Sequence, residues 1–136
     1  MSVTLAQMIA DARAAVGEIP PADVREGIES GAIGLVLDVR EPHEFGTQRL
    51  PGSINIPRGL LELRADERSP GADATLTAER SGRVVVYCTR NPSARSLLAA
   101  RTLIEMGYGG VEVLAGGLVA WAEAGLPVES TAEPGE

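Results

Sequence analysis

The stretch Arg83-Val84-Val85-Val86-Tyr87-Cys88 restricts the fold more than any other part of the chain. Four successive β-favouring residues predict a strand, and one so apolar has to be covered on both faces. A parallel sheet sandwiched between helices does this. Leu35 to Val39 repeats the pattern, too short for a helix and too apolar for a loop, and runs into Arg40. Ser53 to Ile56 and Val111 to Leu114 add two shorter strands.

Helices are expected between them. Leu5, Met8, Ile9, Ala12 and Val16 recur at intervals of three and four and mark one helix face. Pro20-Pro21 opens a second helix carrying Val24 and Ile28 and closed by Gly31. Leu97, Ala100 and Ile104 form a third stripe ending at Gly107, and Val119 to Ala124 a last helix ended by Gly125. Gly59 to Arg64 suits a further helix, whereas Glu41 to Gly52 reads as loop with a helical turn near His43 to Phe45. Ser69 to Gly82 reads as a surface excursion with no core-forming pattern. The expected architecture is α/β, a three-layer sandwich with a mainly parallel central sheet and helices on both faces. It divides into an N-terminal packing helix over residues 1–18, the domain proper over 19–128 and an acidic flexible tail over 129–136.

Composition narrows the function classes. The 136 residues suit one domain, and a chain of this size buries about 68% of its unfolded surface, so it needs no covalent staple. Cys88 is the only cysteine and His43 the only histidine, which excludes an intrachain disulfide and a Cys/His zinc site. A lone thiol suits a reducing compartment, and a cytoplasmic location is expected. Nineteen acidic residues against twelve basic ones, all arginine, leave a net charge of −7, which argues against nucleic acid and anionic membranes as partners. Asp11 and Arg13 interrupt the apolar pattern of the first sixteen residues, so it does not read as a signal peptide. No window approaches the ~20 apolar residues of a membrane span, and a soluble protein is expected. The sequence carries no signal for an oligomeric state.

Ligands of such sheets sit beyond the C-terminal ends of the strands, so the loops after Val39 and after Tyr87 matter most. Cys88 ends a strand just before a helix, where free N–H groups and the positive helix end favour an anion and the reactive thiolate. In the loop that follows, Arg90 and Arg95 supply two cations, and Thr89, Asn91 and Ser93 hydrogen-bonding side chains beside Ala94. The competing reading is an inert buried thiol. A merely space-filling cysteine gains nothing from such neighbours, whereas an anion-binding nucleophile needs them.

Four segments now point to one family. Leu37-Asp38-Val39-Arg40-Glu41, Leu50-Pro51-Gly52-Ser53-Ile54-Asn55-Ile56-Pro57, Val84 to Cys88, and Leu114-Ala115-Gly116-Gly117 with Ala120-Trp121 and Ala124-Gly125-Leu126-Pro127 resemble, in this order, the signatures of the rhodanese-like domain. The resemblance runs from about Ile19 to Val128. It implies a sulfurtransferase in which Cys88 takes a sulfane sulfur from a donor such as thiosulfate, holds it as a persulfide and passes it to cyanide or a thiol. No metal or organic cofactor is implied.

Three departures stand out. Six residues separate Cys88 from Arg95, against four in the family's Cys-Arg-x-Gly-x-Arg-Ser loop and five in related phosphatases and arsenate reductases. If Asn91 caps the helix and Pro92 opens it, the cradle shortens to Cys88 to Asn91. The loop also lacks glycine, so a left-handed angle would fall on a residue such as Asn91, and Arg49 stands where the family often has histidine.

Asp38 and Arg40 suit either active-site groups or a buried ion pair, and Arg58 either an anion contact or a solvated side chain. His43 reads as a surface loop residue, Trp121 as a core anchor, and Gly116-Gly117 as a turn that permits close packing. Two alternatives to sulfur transfer stay open: an oxyanion-processing phosphatase or arsenate reductase, and a non-catalytic binding module.

Overall fold

The computed structural model describes residues 1–131. In chain order the elements are α1 (Leu5–Ala15), β1 (Gly17–Ile19), α2 (Pro21–Ser30), β2 (Leu35–Asp38), α3 (Pro42–Thr47), β3 (Ile54–Asn55), a 3-10 turn (Arg58–Leu60), α4 (Leu61–Ala65), α5 (Ala74–Thr77), β4 (Arg83–Tyr87), α6 (Ala94–Glu105), β5 (Gly110–Leu114) and α7 (Gly117–Glu123). The strands form one all-parallel sheet in the order β1-β5-β4-β2-β3.

The apolar strands are apolar because each builds two cores at once. Side chains alternate across a strand, so Val84 and Val86 of β4 enter one core while Val85 and Tyr87 enter the other. The first core also takes Ala12 of α1, Leu61 and Ala65 of α4, and Leu97, Ala100 and Leu103 of α6. The second takes Val24 of α2, with Leu118 and Trp121 of α7. This is the expected three-layer sandwich. The alternation carries Cys88 into the first core. Trp121 is the anchor anticipated for it, its indole N–H donating to the Pro127 carbonyl at 2.7 Å.

Two elements differ from expectation. β1, not anticipated, pairs its three residues with Glu112 to Leu114 of β5 at the sheet edge, where only Ile19 is even partly covered. So short and exposed a strand shows no apolar alternation. The stretch from Ser69 to Gly82 is not free of core residues. Asp73 caps α5 by accepting the Leu76 amide at 3.0 Å, and Leu76 is fully buried.

The polar ends of the strands are tied down individually. Tyr87 Oη accepts the Leu50 amide at 3.1 Å and lies 2.9 Å from Ser53 Oγ, fixing the turn before β3. Asn55 donates its amide group to the carbonyls of Asp38 and Arg40, so an asparagine at this point locks β3 against the end of β2. Arg49 pairs in an antiparallel bridge with Glu129, lies over the Phe45 ring and donates to Thr131. This bridge holds the start of the expected tail; residues 132–136 lie outside the described residues. Among the described residues no helix is long and apolar enough to cross a membrane.

Candidate active site

The site grows from the junction of β4, the Cys88 loop and α6. Cys88 is buried, at 3% exposure, and its thiol donates to Ser96 Oγ at 3.3 Å. Ser96 in turn donates to the Ser93 carbonyl at 3.0 Å. A hydroxyl can rotate its proton. When the sulfur is anionic, Ser96 can donate to it instead, a role that sequence reading did not assign to Ser96.

The loop does not shorten as the Asn91-Pro92 reading expected. α6 starts at Ala94 with Ser93 as its cap, and the left-handed angle falls on Ser93 (φ 61°), not on Asn91. Asn91-Pro92 is a cis peptide and lies before the helix. All the residues from Cys88 to Ser93 therefore belong to the loop.

How the loop is held decides what it offers. Most of its carbonyls are engaged: Cys88 accepts from the Leu118 amide at 3.0 Å, Thr89 from the Val119 amide at 2.9 Å, Arg90 from the Ser93 amide and Pro92 from Arg13. Gly117 makes the first two contacts feasible, since a Cβ there would stand 2.7 Å from the Cys88 carbonyl oxygen and from Thr89. The amides are the reverse. Among the described residues, the N–H groups of Thr89, Arg90, Asn91, Ala94, Arg95 and Ser96 have no acceptor. Unmet donors at a strand-to-helix junction form an anion-binding cradle. All of these residues but Ser96 line a cavity of about 360 Å³, together with Cys88 and Pro92.

The two loop arginines part company. Arg95 reaches across to Glu44 of α3 in a two-pronged ion pair at 2.7 and 3.2 Å, and also donates to Thr89 Oγ1 at 3.1 Å. The hydrogen bonds from Arg95 hold the Glu44 carboxyl down at about 2. Arg90 has no side-chain hydrogen bond or ion pair among the described residues, although each of the other eleven arginines has one. Sequence reading missed Glu44: its partner is fifty-one positions away, and no spacing rule joins them.

Asp38 and Arg40 form a buried ion pair, with Arg40 Nε and Nη2 both donating to the carboxylate and Nη2 also to the Gln48 carbonyl. This pair fastens the end of β2 to the end of α3. Arg40 lines a second cavity, of about 420 Å³, that adjoins the first at Thr89 and Arg90. Arg58 lines neither cavity; it binds Glu62 and Thr102, bracing α4 against α6. His43 is exposed on the wall of the second cavity.

The chain is similar to known proteins along nearly its whole length. Residues 20–124 match the rhodanese-like domain. A protein named sulfurtransferase from Allochromatium vinosum is 32% identical over 113 residues, covering 83% of this chain and 94% of that one. Thiosulfate sulfurtransferase 16 of Arabidopsis thaliana, a chloroplast protein, is 31% identical, covering 69% and 78%. Among solved structures, a Rhodopseudomonas palustris protein of unknown function, named a possible tyrosine phosphatase, superposes with a TM-score of 0.85 at 32% identity, covering 95% and 96%. With the family match, these likenesses and the cysteine-bearing loop in agreement, the chain belongs to the rhodanese-like domain family.

Proposed function

We propose that this protein is a sulfurtransferase that carries sulfur as a persulfide on Cys88. The observation that carries the reading is the cradle: one thiol facing a cavity whose surrounding amides lack acceptors and whose rim holds the unpaired Arg90. Thiosulfate is a suitable donor because it is a dianion that leaves as another. The Cys88 thiolate attacks its outer sulfur, the sulfur–sulfur bond of the donor breaks, and sulfite departs with the bonding pair. The persulfide anion then rests among the amides and the Ser96 hydroxyl. An acceptor, cyanide or a thiolate, attacks the outer sulfur, and Cys88 leaves as thiolate. The lone free thiol suits a reducing, cytoplasmic setting.

A phosphate-processing reading draws on the six-residue spacing and on the Rhodopseudomonas relative. Against it stands Arg95, whose two terminal nitrogens are engaged by Glu44 and Thr89 rather than set toward the cavity alone. Thiocyanate formation from thiosulfate and cyanide, with Cys88→Ser as control, tests the sulfur reading. Thiocyanate from the wild type and none from the variant is the expected result. Turnover of an aryl phosphate without thiocyanate would favour the other reading.

A further inference from the structure

We infer that the second cavity holds the body of the sulfur acceptor, and that this acceptor is a small zwitterionic thiol bearing both a carboxylate and an ammonium group. The inference rests on the sulfurtransferase reading above and specifies its second half-reaction.

The cavity lies beside the thiol cavity, not within it. Cys88 lines only the first, and the two share Thr89 and Arg90. At about 420 Å³ the second is far larger than cyanide needs and falls at the small end of metabolite pockets. Its charges have been sorted by their neighbours. Arg40 is neutralised by Asp38, and Glu44 by Arg95. Two charges remain without a partner among the described residues, Arg90 and Glu123. Leu118, Val119 and Ala122 of α7 supply the apolar part of the same wall.

One free cation and one free anion on a partly apolar wall match a molecule with the opposite pair on a short carbon frame. Arg90 takes the carboxylate, Glu123 the ammonium, and the thiol enters the first cavity past Thr89. There the acceptor thiolate bonds to the outer sulfur of the Cys88 persulfide. The Cys88–sulfur bond breaks with its electron pair returning to Cys88, and the acceptor leaves as a persulfide anion. No oxidant or reductant is consumed.

The test loads the full chain with thiosulfate, confirms the added sulfur by intact mass, and then measures its discharge by four probes. These are cysteine (both charges), 3-mercaptopropionate (carboxylate alone), cysteamine (ammonium alone) and 2-mercaptoethanol (neutral), compared at equal thiolate concentration. Cysteine is expected to discharge fastest. In Glu123→Gln its advantage over 3-mercaptopropionate falls about fivefold, the size expected for one exposed ion pair. Equal discharge by all four thiols, or an unchanged ratio in Glu123→Gln, overturns the inference while loading stands. Failure to load overturns the sulfurtransferase reading and this inference with it.

Discussion

Two polar clusters sit at the C-terminal ends of adjacent strands, and they have opposite characters. After β2, Asp38 is fully buried and its carboxylate accepts from the Arg40 backbone and side chain, while Asn55 takes up the neighbouring carbonyls. Among the described residues, no buried side-chain nitrogen or oxygen there lacks a partner. After β4, most of the loop carbonyls are matched, but among the described residues the amides of Thr89, Arg90 and Asn91 and the Arg90 side chain are not. The two clusters use the same residue types, arginine included. What separates a structural clamp from a site for an anion is the balance of hydrogen bonds, since a satisfied pair has nothing left to offer a ligand.

Perturbing the two clusters should therefore damage different properties. Cys88→Ser removes the nucleophile and is expected to abolish sulfur loading altogether, with thermal stability altered by no more than about 1 kcal/mol. Asp38→Ala should do the reverse. It strands the buried Arg40 guanidinium, and breaking a buried pair costs about 3–5 kcal/mol, read as a lowered denaturant midpoint. Activity per folded molecule should persist. Arg90→Ala is expected to raise the KM for thiosulfate about tenfold, the worth of one charge-assisted hydrogen bond, and to leave stability within about 0.5 kcal/mol.

The smallest effect belongs to the contact between the clusters, Glu44 with Arg95. The Glu44 carboxyl lies at about 2 against an ordinary value of 4.5, because Arg95 binds its ionised form. A depressed carboxylate stabilises the fold fully above its unfolded value, and that stabilisation is lost as pH falls from 4.5 toward 2. The pair is partly exposed, so water screens it, and Glu44→Gln should cost less than about 1 kcal/mol at neutral pH. Its clearest mark is a stability profile less steep in acid than that of the wild type.

Sequence patterns were most informative where one physical requirement dominates. β2 and β4 announced themselves because strands covered on both faces admit almost no polar residue, and the same run delivered Cys88 to the strand end. Gly116-Gly117 read correctly as a device for close approach, with positive φ at both positions. Where two forces compete, local pattern was silent or misleading. Asn91-Pro92 looked like a helix start by propensity, but the backbone makes its turn at Ser93, whose carbonyl then accepts from both Leu97 and Ser96. β1 exists because β5 offers an edge, a cause that is not local in sequence; the Asp73 cap before the buried Leu76 is local, but a single helical turn of four residues gives no apolar stripe to mark it. The meeting of Glu44 with Arg95, and the unpaired state of Arg90, are properties of the assembled loop alone.

The most direct measurement is peptide-resolved mass spectrometry of the protein after brief exposure to thiosulfate without reductant. The account predicts one additional sulfur atom on the peptide containing Cys88, removed by cyanide. An unmodified Cys88 peptide from correctly folded protein would contradict it.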